Sequence, residues 1–134
     1  MNNIKPILIA EDDDVDIMII KRAFKQLGVL NELIIMHNGE EIISYLSSSK
    51  KELPCLIILD INMPKMNGHE CLKHIKKNTA YKHIPVFMLS SSKEQQDIDK
   101  SFFRGIAGYI LKTIEYDSFL DSIKVLNTYW AVKH

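Results

Sequence analysis

Five short apolar runs constrain this chain more than any other feature: Ile7–Ala10, Leu33–Met36, Leu56–Leu59, Val86–Leu89 and Gly108–Leu111. Each is too short for a core helix. Most are rich in Ile, Leu or Val and are bounded by polar or turn residues, so they read as strands. They show little in/out alternation, and strands apolar on both faces suit a parallel sheet covered on both sides. Helical spacing fills the gaps. Ile20, Phe24 and Leu27 share a face, with Gly28 behind them as a C-cap. Ile42 with Leu46, Leu72 with Ile75, Ile98 with Phe102, and the series Phe119, Ile123, Leu126 and Trp130 continue the pattern. Right-handed crossovers between such strands place helices on both faces of one parallel sheet.

The chain has 134 residues, one domain's worth. Its 17 basic and 17 acidic residues cancel, which argues against a nucleic-acid binder held by phosphate contacts. With 46% hydrophobic and 25% charged residues, the composition is globular rather than disordered. The two cysteines, Cys55 and Cys71, form no dense framework and point to a reducing compartment. The N-terminal segment lacks the apolar core of a signal peptide, and no run approaches the ~20 residues of a membrane span. The expectation is one cytoplasmic domain over residues 1–134, with a core from about 7 to 129 and no effector domain behind the fifth helix.

In an open parallel α/β sheet, ligands bind beyond the carboxyl ends of the strands. There the first strand runs into Glu11-Asp12-Asp13-Asp14 and the third into Asp60-Ile61-Asn62-Met63-Pro64. The fourth runs into Ser90-Ser91-Ser92 and the fifth into Lys112-Thr113. Clustered carboxylates repel one another, and a divalent cation relieves the repulsion. Oxygen-only ligands favour Mg2+, which keeps waters and leaves room for a phosphoryl oxygen. Phosphoryl transfer asks mainly for positioning and charge neutralisation. A carboxylate nucleophile, a metal, a lysine and a hydroxyl supply both, so these residues point to Mg2+-dependent phosphorylation of an aspartate.

The segments ILIAEDD, LIILDINMPKMNG, VFMLSSS and GYILK, in that order from Ile7 to about Tyr129, resemble the receiver domain of bacterial two-component response regulators. The layout is similar to the stand-alone regulators that partner bacterial phytochromes. The resemblance implies a flavodoxin-like sandwich with a parallel sheet in the order 2-1-3-4-5. It implies that Asp60 is the phosphorylated aspartate, that Asp12 binds Mg2+ directly, that Glu11 acts through a metal-bound water, and that the Asn62 backbone carbonyl is a further ligand. Lys112 would pair with the phosphoryl group, the Ser90 hydroxyl would move to a phosphoryl oxygen, and Tyr109 would turn inward with it. Pro64 and Gly68 match the loop that positions the end of the third strand. The partners implied are a histidine kinase or phosphotransfer protein and a downstream protein target, with homodimerisation an option. No turnover of an external substrate is implied, and neither nucleic acid nor membrane is involved. One departure concerns the lysine loop: the family commonly has Pro where this chain has Thr113. A non-proline cis bond costs ~3 kcal/mol, so either the Lys112–Thr113 bond is trans with a rebuilt loop or a rare cis bond is kept.

Other residues have plainer readings. Asp13, Asp14 and Asp16 need no role in the site, and Asp14 reads as a helix cap or dipole partner. Cys71 and His74 share a helix face, but with Cys55 and His69 they lack paired zinc-ligand spacing. His37, His83 and His134 form no cluster. Ile17, Met18, Ile19 and Ile20 are consecutive, so one or two must face outward; Ile17 and Met18 are candidates for docking a kinase's helical domain. The apolar tail Leu126–Val132 either packs on the fifth helix or presents Tyr129 and Trp130 as a dimer face with the fourth helix and fifth strand. Two rival functions remain. One is a phosphorylation-independent binding module with the same fold. The other is a Mg2+-dependent phosphohydrolase, which usually needs an acid where this chain has Asn62.

Overall fold

The computed structural model describes residues 4–48, 50–113 and 115–130. Strands β1 (Ile7–Ala10), β2 (Leu33–Met36), β3 (Leu56–Asp60), β4 (Val86–Ser90) and β5 (Gly108–Leu111) form one parallel sheet in the order β2-β1-β3-β4-β5. Between and after them run α1 (Asp14–Gln26), α2 (Gly39–Ser47), α3 (Gly68–Lys77), α4 (Gln95–Phe103), α5 (Tyr116–Lys124) and the short α6 (Asn127–Trp130). This is the expected flavodoxin-like order. β3 and β4 each run one residue beyond the apolar run, into Asp60 and Ser90 themselves.

The continuous apolar strands still alternate, but both faces are covered. Ile7, Ile9, Leu56, Ile58, Phe87 and Leu89 point to the α1/α5 side, where Phe24, Phe119, Ile123 and Trp130 meet them. Leu8, Ala10, Ile57, Leu59 and Met88 point to the α2/α3 side and pack on Ile42, Leu46, Cys71, Leu72 and Ile75. Each fully buried aliphatic side chain contributes roughly 1.5–3 kcal/mol, so this double core fixes the sheet. Of the helices that start beside the carboxyl edge, α1, α2 and α3 have side-chain N-caps, whereas Glu94 before α4 and Glu115 before α5 make none. Asp13 accepts from Val15 N at 3.1 Å, so the cap of α1 lies one residue before the expected Asp14, which opens the first turn instead. Asn67 and Glu70 close a capping box on α3. Gly28 follows the end of α1 at φ +71°, the left-handed position expected there.

Four expectations change. Ile98 and Phe102 do not share a buried face. Ile98 is half-buried and Phe102 exposed, and the residue of α4 facing the core is Ser101, whose hydroxyl donates back to Asp97 O at 3.0 Å. The Phe119–Trp130 series is not one helix: it breaks after Lys124, yet Phe119, Ile123, Leu126 and Trp130 are all buried. Ile17 is buried at 8% exposure, so it belongs to the core and not to a docking surface; Met18 at 70% and Ile19 at 37% are the outward pair. Helical geometry turns successive residues about 100° apart, so adjacent positions cannot share Ile17's inward direction. Trp130 is buried as well. Its ring meets Phe24 edge-on at 5.4 Å and its carbonyl accepts from Asn31 Nδ2 at 3.2 Å, so it is a core anchor and not a dimer contact. Tyr129 is half-buried, edge-on to Phe87 at 5.0 Å. The tail residues Ala131 and Val132, and His134, lie outside the described residues.

Candidate functional site

The parallel register brings the ends of β1, β3, β4 and β5 to one edge. Glu11 N donates to Met36 O, Ile61 N to Leu89 O, and Lys112 N to Ser90 O at 2.7 Å, so the ladder continues past each strand into the site. Asp60 is 4% exposed and Glu11 and Ser90 are buried, while Asp12 is exposed at the rim. Gly68 N donates to Ile61 O at 3.0 Å, which pins the first turn of α3 under the peptide that follows Asp60.

Lys112 is the centre of charge. Its Nζ donates to Asp60 Oδ2 at 2.9 Å and to Asp16 Oδ2 at 2.9 Å. Glu11 Oε2 is also 2.9 Å from Nζ, an ion pair by distance, but it lies outside hydrogen-bond geometry and accepts no hydrogen bond. Asp60 Oδ1 accepts from Asn62 N at 3.2 Å, which sets the backbone of Asn62, an exposed residue, beside the acid. Glu11 Oε1 accepts from Asp13 N at 3.1 Å.

The electrostatics follow from burial. Loss of water raises the Glu11 carboxyl; Lys112 opposes the rise and Asp60 adds to it, and the result is about 7 against an ordinary 4.5. For Lys112, burial pulls the ammonium down, but Asp16, Glu11 and Asp60 outweigh it and its pKa is raised. One ammonium therefore serves three carboxylates, and Glu11 holds its charge at a cost.

Glu11, Asp12 and Asp60 each offer a carboxylate oxygen, all within 4.8 Å of one another. The donor set is oxygen only, and the buried Glu11 Oε2 lacks a hydrogen-bond donor. Both features fit a hard divalent cation, which would satisfy that oxygen and lower the repulsion.

Around the rim, Ser90 Oγ accepts from Ser92 N at 3.0 Å, and the Tyr109 hydroxyl donates to Ser92 O at 3.0 Å. The Ser92 hydroxyl donates to Asp97 on α4 at 2.6 Å. Ser92 thus ties the strand-end hydroxyl to the aromatic ring and to a helix. No peptide bond among the described residues is cis, so Lys112–Thr113 is trans.

The structure brings Glu11, Asp12, Asp60, Lys112 and Ser90 to one edge, with Asn62 and Tyr109 adjoining. It adds contacts at two residues, Asp16 and Ser92, that the sequence does not place in the cluster. Asp16 lies four residues beyond Asp12, and the first turn of α1 returns it to the same edge. That spacing was its signal. Ser92 gave none, because three successive serines look like loop.

Comparison with known proteins gives the family and agrees with the fold. The sequence model of the response regulator receiver domain matches residues 7–124. The response regulator Rcp1 of Synechocystis sp. is 29% identical over 130 residues, 94% of this chain and 88% of that protein. The crystal structure of the phosphorylated cyanobacterial phytochrome response regulator RcpA superposes with a TM-score of 0.84 at 32% identity, covering 95% of this chain and 94% of that one. The Mn2+-bound form of Rcp1 gives a TM-score of 0.82 at 29% identity, covering 94% of each chain. This chain belongs to the response regulator receiver domain family.

Proposed function

We propose that this chain is a stand-alone response regulator that takes a phosphoryl group onto Asp60 and signals through protein contacts. The observation that carries the reading is the meeting of Asp60 with Lys112 Nζ at 2.9 Å inside a three-carboxylate cluster. An Asp60 carboxylate oxygen attacks the phosphorus of a phosphohistidine on a kinase or phosphotransfer protein. The phosphorus–nitrogen bond breaks, its electron pair stays on the imidazole with a proton from solvent, and an aspartyl phosphate forms. Glu11, Asp12, Asp60 and the Asn62 carbonyl would hold Mg2+. Bound there, it supplies neutralisation of the developing phosphoryl charge. Lys112 neutralises a further oxygen. The similar RcpA is described as phosphorylated and the similar Rcp1 as Mn2+-bound, which supports both parts.

The Ser90 hydroxyl, at the end of β4, would donate to a phosphoryl oxygen. Its movement would release the N–H of Ser92, the residue whose carbonyl accepts from Tyr109 and whose hydroxyl donates to Asp97 on α4. Phosphorylation then shifts the population of that linkage rather than deforming the core. Met18 and Ile19 are exposed on α1, the helix that carries Asp16, and Ile19 lines the hollow next to Lys112; they suit the approach of the donor's helical domain. Among the described residues no helix is long and apolar enough to cross a membrane, which supports a cytoplasmic regulator. No external substrate is turned over.

Intact-protein mass after incubation with acetyl phosphate, with and without Mg2+, tests the reading. Wild type should gain one phosphoryl group only with Mg2+, and Asp60→Asn should gain none. Absence of labelling in wild type, by acetyl phosphate and by phosphohistidine donors alike, would leave a binding module; labelling elsewhere than Asp60 would move the acceptor.

A further inference from the structure

Three carboxylates share Lys112, but they are not equivalent. Glu11 and Asp60 belong to the cluster that offers oxygens to a cation; Asp16 does not. A divalent ion on that cluster takes the charge of two of the lysine's partners and repels the ammonium beside them. Lys112 carries three N–H donors, so it needs another acceptor when those two are withdrawn. Asp16 Oδ2 is already 2.9 Å away, on a separate element, α1, and partly open to solvent. Beside this pair lies a hollow of about 30 Å³, walled by Ile19, Ile20, Leu89 and Thr113.

We propose that Asp16 is a positioning residue that acts through Lys112: it retains the ammonium when a divalent cation occupies Glu11, Asp12 and Asp60, and so sets the affinity for that cation. The inference rests on the reading of the site as a Mg2+-assisted phospho-acceptor. It follows by linkage. Asp16 also contacts Lys112 while Glu11 and Asp60 do, so what shifts the equilibrium is the difference: its pairing counts for more once Glu11 and Asp60 are withdrawn, and that surplus favours the cation-bound state. Without Asp16, Lys112 stays with Glu11 and Asp60 and competes with the cation.

The test is titration of the full chain with MgCl2, followed by heteronuclear NMR at the Asn62 amide. Asp16→Asn should bind Mg2+ roughly fivefold more weakly than wild type, the scale of one partly exposed ion pair. A plain loss of negative charge near the site would also weaken binding, and two comparisons separate the explanations. In the Lys112→Met background, Asp16→Asn should change the affinity by less than about twofold, because the residue it acts through is gone. In the wild-type background, Asp14→Asn, which removes a neighbouring charge in the same helical turn, should also change it by less than about twofold. A fivefold loss that persists without Lys112 overturns the proposal. So does an equal loss from Asp14→Asn, a comparison that needs no change at Lys112 should Lys112→Met not fold. Wild type that binds Mg2+ with this pattern but accepts no phosphoryl group would refute the proposed function and leave the role of Asp16 standing. Wild type that binds no Mg2+ would end both.

Discussion

Replacing Gly68 with alanine puts a specific strain on the backbone of Asp60, the proposed phospho-acceptor. A Cβ at this position would lie 2.5 Å from Asp60 O, 2.9 Å from Ile61 Cα and 3.1 Å from Asp60 C. Unstrained carbon contacts sit at about 3.5 Å or beyond, so the methyl overlaps the Asp60 backbone by roughly 1 Å. Nothing there is a flexible side-chain end; the backbone itself must move. Overpacking of this kind costs about 1–3 kcal/mol, and alanine's better helix propensity returns up to about 1 kcal/mol. The net expectation is a loss of about 1–2 kcal/mol, visible as a lower urea midpoint, or a fall in Tm of about 4–8 °C for a chain of this size. Because the clash acts on Asp60, Mg2+-dependent phosphorylation should slow by about tenfold or more, as misplacement of a reacting group does. Gly28→Ala is the matched comparison. Its φ of +71° makes alanine strained by about 1–2 kcal/mol, but a Cβ there meets nothing within 4 Å and the position is remote from the site. The two variants should lose similar stability, while only Gly68→Ala loses phosphorylation rate. An unchanged urea midpoint in Gly68→Ala, or equal phosphorylation rates in both variants, would refute the steric argument.

Other expectations follow from the same contacts. Trp130→Ala removes a buried ring stacked edge-on against Phe24 and should cost about 3–5 kcal/mol in urea unfolding, with no change in oligomeric state by sedimentation. Burial pushes the Glu11 carboxyl up to about 7 from 4.5, so between those values the folded chain holds a proton the unfolded chain has released. Without Mg2+, this group's contribution to stability should therefore fall as pH rises from about 4.5 to 7 and then level off; urea midpoints of wild type should show the slope and those of Glu11→Gln should lack it. Cys71 is fully buried, its thiol pushed up to about 12 by loss of water, whereas Cys55 is only half-buried; a thiol reagent should label at most one cysteine of the native chain, at Cys55. Ser92→Ala removes the hydroxyl that donates to Asp97 and should raise amide exchange at the start of α4, leaving α1 unchanged.

The strands were legible because apolar side chains on both faces leave an unmistakable run, and their ends placed the acidic loops, Ser90 and Lys112 at one edge. Helix interiors were read less well where packing outweighed pattern. In α4 a small Ser101 meets the core while Phe102 and Phe103 face solvent, an arrangement periodicity alone assigns the wrong way round. Ile17 and Met18 are adjacent in sequence, and only the angular placement of the whole helix decides which one is buried. Asp16 escaped because an acid in the first turn of a helix already has a sufficient reason to be there. Trp130 was ambiguous for a related reason: an aromatic near a terminus is equally good as an anchor or as an interface until Phe24 and Asn31 are seen around it.

The crowding around Lys112 has a further consequence for the molecule as an electrical object. Glu11, Asp12, Asp13, Asp14, Asp16 and Asp60 set six formal negative charges against the single positive charge of Lys112, a local excess of five. The chain as a whole is neutral, so the remaining residues carry five positive charges in excess. A phosphoryl group of about two negative charges would be added where negative charge is already densest, and a divalent cation would subtract two at the same place. Under the proposed function, each signalling state would have its own electric moment, and an approaching protein would meet a field that reports the state before any surface contact is made. That reach ends within about 10 Å at ordinary ionic strength, so discrimination between states by long-range field should fade with added salt while discrimination by contact does not.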